Sequence, residues 1–188
     1  VRLREKVLVD MDFERNTQSE HNWLVCEYDI STYKQVMKAR WDPYKDEPIQ
    51  NAAGLCYILR RIVNSDSSRL QQMGSIIQQH PKSIVFYNFD YERDDLIGFA
   101  KSKRIKFAEW SGHAHQELPQ GDRWLYLVQY TAGCEGWNCI KTDTTIFYSQ
   151  NYSYKVLEQA SGRIARLNTP YERLFYYHLT SMAPIDRA

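Results

Sequence analysis

A parallel α/β sheet flanked by helices is the fold this sequence predicts. Three observations carry it. A short, continuous apolar run stands at 84–87, as a strand buried on both faces requires, and further strand-like runs follow at 124–128, 144–148 and 174–179. Helix-period segments stand between runs, and strands alternating with helices give parallel sheets with right-handed crossovers. The residues just past each run turn to glycine, asparagine and hydroxyls, where open α/β sheets place their working loops.

The totals set bounds. A chain of 188 residues holds one domain with a real core, or one lobe of a larger enzyme. The net charge of +1 leaves no overall basic field, so any nucleic-acid contact must be local. Cys26, Cys56, Cys134 and Cys139 form no Cys-x-x-Cys pair, which argues against a zinc ribbon or a thioredoxin motif. Reduced, buried thiols in a cytoplasmic protein are expected. No apolar run approaches the ~20 residues of a membrane span and no signal peptide opens the chain, so no membrane partner is expected. The chain starts at Val1 and stops at Ala188 inside an apparently continuing segment, which reads as part of a longer polypeptide.

In order, Val7–Met11 and Trp23–Glu27 read as short strands. Ser31 is a candidate cap for a helix through Trp41, with Tyr33, Val36, Met37 and Trp41 as its apolar face, ended by Asp42-Pro43. Residues 44–50 read as a polar loop. Leu55, Ile58, Leu59 and Ile62 set a helix over 51–63. Leu70, Met73, Ile76 and Ile77 set another, capped within 66–68 and stopped at His80-Pro81. Strands at 84–87, 106–110, 124–128, 144–148 and 174–179 follow, with a charged helix over 91–103. No internal repeat or low-complexity tract is present.

Three of the loops are unusual: Asn88-Phe89-Asp90, Ser111-Gly112-His113, and the run from Gln129 to Cys139. In the last, Gly133 and Gly136 free the backbone to offer amides to phosphate oxygens, and Thr131, Glu135 and Asn138 add polar tips. Beyond the fourth of these strands lies Gln159-Ala160-Ser161-Gly162-Arg163-Ile164-Ala165-Arg166. Read as a helix, it puts Gln159, Arg163 and Arg166 on one face and Leu157, Ala160 and Ile164 on an apolar one. Two fixed guanidiniums suit a phosphate chain, because each planar fork bonds phosphate oxygens in pairs. Gly162 would let a partner's backbone or phosphate come close.

The pattern Gln159-x-x-Gly162-Arg163-x-x-Arg166 resembles the last signature of superfamily 2 helicases and translocases. Ala132, Gly133, Glu135, Gly136 and Asn138 resemble the penultimate signature in its Swi/Snf-like form, with Trp137 in place of a smaller aliphatic and Thr131 displaced by one position. Ile84–Phe89 and Trp110-Ser111-Gly112 resemble two further signatures in the same order. The resemblance spans about residues 83–180, and the Tyr-rich loops look most like phage or bacterial members. It implies a RecA-like C-terminal lobe at 83–188, with 1–82 a lead-in of strands and helices packed on it.

The resemblance also implies roles. Arg163 and Arg166 would act as arginine fingers toward ATP, with Gln159, Gly162, Glu135, Gly136 and Asn138 at the nucleotide. Asn88, Gly112, His113 and Thr131 would touch the nucleic-acid backbone, DNA before RNA. The chain has no Gly-x-x-x-x-Gly-Lys-[Ser/Thr] and no acidic Mg²⁺ box. ATP and Mg²⁺ would therefore be held mainly by an N-terminal lobe of the same polypeptide, and the isolated chain is expected to be inactive. The rival expectation is a non-catalytic nucleic-acid-binding or scaffold module that keeps the fold. A third is an independent nucleotide-binding domain. His113, His115 and Glu117 could be drawn as a metal site, but a catalytic zinc needs three placed ligands and a supporting shell, so no metal is expected. Tyr148, Tyr152 and Tyr154 read as helix packing ahead of base stacking.

Overall fold

The computed structural model describes residues 17–133 and 137–187. The strands are β1 (Gln18–Cys26), β2 (Trp41–Asp42), β3 (Glu47–Pro48), β4 (Lys82–Tyr87), β5 (Lys106–Trp110), β6 (Trp124–Gln129), β7 (Thr144–Phe147) and β8 (Arg173–Ser181). The helices are α1 (Ile30–Ala39), α2 (Ala52–Asn64), α3 (Ser67–Gln79), α4 (Asp90–Ser102), α5 (Tyr130–Gly133) and α6 (Tyr154–Ser161), with a 3-10 turn at Pro184–Asp186. Among the described residues, six strands form one sheet in the order β1-β8-β7-β4-β6-β5, and every ladder in it is parallel. β2 and β3 form a separate antiparallel hairpin. The expected strand at Val7–Met11 lies outside the described residues.

The central strands β4, β6 and β7 are covered on both faces, which is why they are buried without alternation, whereas β1 and β8 alternate. Val85, Tyr87, Leu125, Leu127 and Ile146 face α3 and α4. Ile84, Phe86, Tyr126, Val128 and Phe147 face Trp137, Cys139, Ala160 and Ile164. Burying each such side chain contributes roughly 1.5–3 kcal/mol. A third cluster joins α1, α2 and Ala183 through Tyr33, Val36, Leu55, Leu59 and Ile62.

Several expectations change. Asp29, not Ser31, caps α1: its carboxylate accepts from the Thr32 amide at 2.9 Å and the Thr32 hydroxyl at 2.6 Å. The helix stops at Ala39 because Arg40 turns left-handed (φ 55°), so Trp41 starts β2. Tyr33 and Val36 are buried as expected, whereas Met37 and Trp41 are exposed. The Trp41 indole instead donates to Asp46 across the hairpin, at 2.9 Å. β1 is an outer strand of the main sheet, paired with β8 from Gln18↔Arg173 to Cys26↔Ser181. Cys26 and Cys139 are buried free thiols, while Cys56 is free and exposed, contrary to a uniformly buried set. Burial pushes the Cys26 thiol up to about 11. Cys134 lies outside the described residues.

An aromatic pile joins the outer strands. His178 of β8 stacks between Trp23 of β1 at 4.1 Å and Phe147 of β7 at 4.6 Å. Its Nε2 lies 3.1 Å from His21 Nδ1, so one ring must carry the proton that the other accepts. Burial, and then the neighbouring His21, pull the His178 pKa down to about 4. A base depressed in the folded state is neutral in both states above pH 6.5, and charging it costs stability as pH falls toward about 4. Urea midpoints measured across that window should fall in the wild type and fall less in His178→Phe. Superimposable curves would show that His178 carries no acid sensitivity.

Candidate functional site

The carboxyl ends of β4, β6 and β7 meet in a buried polar knot. Asn88, just past β4, donates through its side-chain amide to the Ser149 hydroxyl at 2.8 Å and the Gln150 carbonyl at 3.1 Å. It accepts from the Asn151 amide at 2.9 Å. Glu92 of α4 lies beneath and is fully buried. Its carboxylate accepts from the Asn88 amide N–H at 2.8 Å, the Ser149 hydroxyl at 2.7 Å and the Asn64 amide at 2.8 Å. Burial raises its pKa, and these bonds counter the rise by favouring the charged form.

Gln129, the last residue of β6, links this knot to the next loop. Its amide donates to the Asn88 carbonyl at 3.4 Å, and its side-chain oxygen accepts from the Gly112 N–H at 3.3 Å. Asn88 and Gly112, expected to share a role, are thus joined through a residue that the sequence reading did not single out. Polar residues ending otherwise apolar strands, Gln129 and Ser149-Gln150-Asn151, were the available signal. Gly112 and His113 are exposed. His115 stacks on Trp110 at 4.4 Å. No cluster of three metal-ligating side chains occurs among the described residues.

The glycine-bearing loop begins as α5, directly after β6. Tyr130 is buried, and its hydroxyl donates to the Ser149 carbonyl at 3.0 Å; Thr131 beside it is exposed. Glu135 and Gly136 lie outside the described residues. Trp137 returns as a buried ring packed edge-on to Tyr126 at 5.3 Å, and Asn138 is exposed.

The arginine segment departs from the expected helix. α6 ends at Ser161, and residues from Gly162 onward leave as turns. The apolar side holds, with Ala160 and Ile164 buried and Leu157 packed against them. The shared face of Gln159, Arg163 and Arg166 does not form, because tertiary bonds replace helical ones. The Arg163 carbonyl accepts from the Cys139 N–H at 3.0 Å. The Arg163 guanidinium is buried at 8% exposure and donates to the Trp137 carbonyl at 3.0 Å. Arg166 is half-buried, its Nε lacks an acceptor, and its guanidinium makes no hydrogen bond or ion pair among the described residues. Gln159 is half-buried on α6. Gly162 has φ −64°, an ordinary helical value, so its backbone does not itself require glycine.

No family model and no curated protein matches the sequence. Solved structures do. The C-terminal part of the Fun30 ATPase domain superposes with a TM-score of 0.70 at 12% identity, over 91% of this chain and 87% of that one. The fold is RecA-like. T4 UvsW superposes with a TM-score of 0.58 at 12% identity, over 88% of this chain but only 33% of its own length. At this identity the likeness is one of fold. No described helix is long and apolar enough to cross a membrane.

Proposed function

We propose that this chain is the C-terminal RecA-like lobe of an ATP-dependent helicase or translocase of the Swi/Snf-like kind, working on DNA or RNA. Residues 83–188 would supply the core of that lobe and 1–82 its lead-in, of which β1 joins the lobe's sheet as an outer strand. The observation that carries the reading is Arg166: a half-buried guanidinium with an unsatisfied Nε, at the end of the Gln-x-x-Gly-Arg-x-x-Arg pattern. A buried donor without an acceptor costs about 1–3 kcal/mol, which an incoming phosphate oxygen would relieve. The fold likeness to the Fun30 ATPase domain supports it.

The residues present fit one side of a nucleotide site. Arg166 would reach the γ-phosphate, with Gln159 beside it. Arg163 would hold α6 to the loop carrying Glu135, Gly136 and Asn138 through its bond to the Trp137 carbonyl. ATP with Mg²⁺, held mainly by the N-terminal lobe, supplies the phosphoanhydride whose cleavage drives movement. Such a guanidinium acts by neutralising charge that grows on the transferring phosphoryl group. Exposed Gly112, His113 and Thr131 would meet the nucleic-acid backbone, and Asn88 would hold their loops in register. Backbone contacts of this kind position a strand without reading its sequence.

One observation favours a second reading, a scaffold lobe without catalytic work: Arg163 spends its guanidinium on an internal carbonyl. Turnover separates the two. The isolated chain should release phosphate from ATP only at the uncatalysed rate, whereas the polypeptide with its N-terminal lobe should turn ATP over and be stimulated by nucleic acid. Robust turnover by the isolated chain, or none by the full polypeptide, would overturn the proposal.

A further inference from the structure

Beside the edge strand β5 lies a pocket of about 310 Å³, of whose lining the proposed helicase chemistry uses only the loop that carries Trp137 and Asn138. Its wall is aromatic. Trp110 and Trp137 sit 6.4 Å apart, Tyr126 meets Trp137 edge-on, and exposed His115 lies flat on Trp110 at 4.4 Å. Its rim carries the exposed amides of Gln120 and Asn138, with one charge of each sign from Glu117 and Lys141. A balanced rim does not build a phosphate bowl. The Trp110 indole is committed to the Ala132 carbonyl at 3.1 Å, but the Trp137 indole N–H is buried and has no acceptor among the described residues.

A stackable wall and free amides suit a flat ring with a hydrogen-bonding edge. Every nucleobase has such a face, and Asn and Gln amides pair with base edges. We propose that this pocket is a nucleobase site. An unstacked base lies on the Trp110–His115 pile and turns its polar edge to Gln120 and Asn138. Resting on the nucleic-acid reading above, this adds a grip on a base to contacts that otherwise touch only the backbone.

The test uses the 188-residue chain and a labelled 12-nucleotide single strand, with and without abasic sites in its centre. Removing the bases should weaken binding about tenfold. The difference should shrink to less than about twofold in His115→Ala, whose exposed ring can be lost without disturbing the core. Indole fluorescence titrated with AMP distinguishes the sources: quenching by AMP that is lost in Trp110→Phe, with no strand binding, assigns the pocket to a free nucleotide and counts against the nucleic-acid reading. Equal affinity for intact and abasic strands, with no response to AMP, overturns the pocket and leaves that reading standing. An abasic penalty unchanged in both variants likewise overturns it.

Discussion

Arg166→Lys, made in the polypeptide that carries the N-terminal lobe, should lower ATP turnover by about 10³-fold or more. Affinity for nucleic acid should stay within about twofold, because the contacts proposed for the strand lie on other loops. Lysine keeps the charge but loses the planar fork, and a point charge cannot follow two phosphate oxygens at once. Arg166 is the sharper of the two arginines to test, since its guanidinium is uncommitted among the described residues. Arg163→Lys should behave differently. It removes the donor to the Trp137 carbonyl, so stability falls along with rate. Phosphate release measured at saturating ATP, alongside strand binding by anisotropy, reads both effects. If Arg166→Lys keeps more than about a tenth of wild-type turnover, Arg166 is not a finger.

Arg69→Met should cost about 3–5 kcal/mol of folding stability. Arg69 of α3 has no exposed surface. Its guanidinium donates to the carbonyls of Val63 at 3.2 Å, Tyr148 at 2.7 Å and Leu179 at 2.9 Å, and pairs with Asp186. One side chain therefore ties the end of α2, the exits of β7 and β8, and the final 3-10 turn. Methionine fills the stem but leaves a carboxylate and three carbonyls without their donor. With a slope of about 1–3 kcal/mol per molar urea, the midpoint should drop by roughly 2 M. Lys45→Ala is the contrast: it breaks the exposed Lys45–Glu47 pair at 3.7 Å and should cost under about 1 kcal/mol. Arg69→Met/Asp186→Leu should recover part of the loss. An unchanged midpoint for Arg69→Met would show that the cluster holds nothing together.

Strands with both faces buried were legible because a run such as Ile84–Tyr87 has no other use. Helices α2 and α3 were legible from their periodicity, and α3 also from its cap. The ends of elements were less so. The Gln159–Arg166 periodicity is real, yet the helix stops at Ser161 because Cys139 and Trp137, distant in sequence, claim the Arg163 carbonyl and guanidinium. No local pattern encodes that competition. The Glu92 knot was missed for a similar reason: on its own helix it reads as one carboxylate among several, and only the fold brings Asn64, Asn88 and Ser149 around it.

The pairing of β1 with β8 has a consequence for how the chain is made. β1 leaves the ribosome before every helix of the lobe, yet β8, its partner among the described strands, follows only after all of them. Until then Leu24 and Cys26, which the finished sheet packs into its core, have nothing to lie against, and vectorial synthesis leaves the ribbon waiting. Closure across so long a stretch is slow, and the waiting ribbon is a natural client for a holding chaperone.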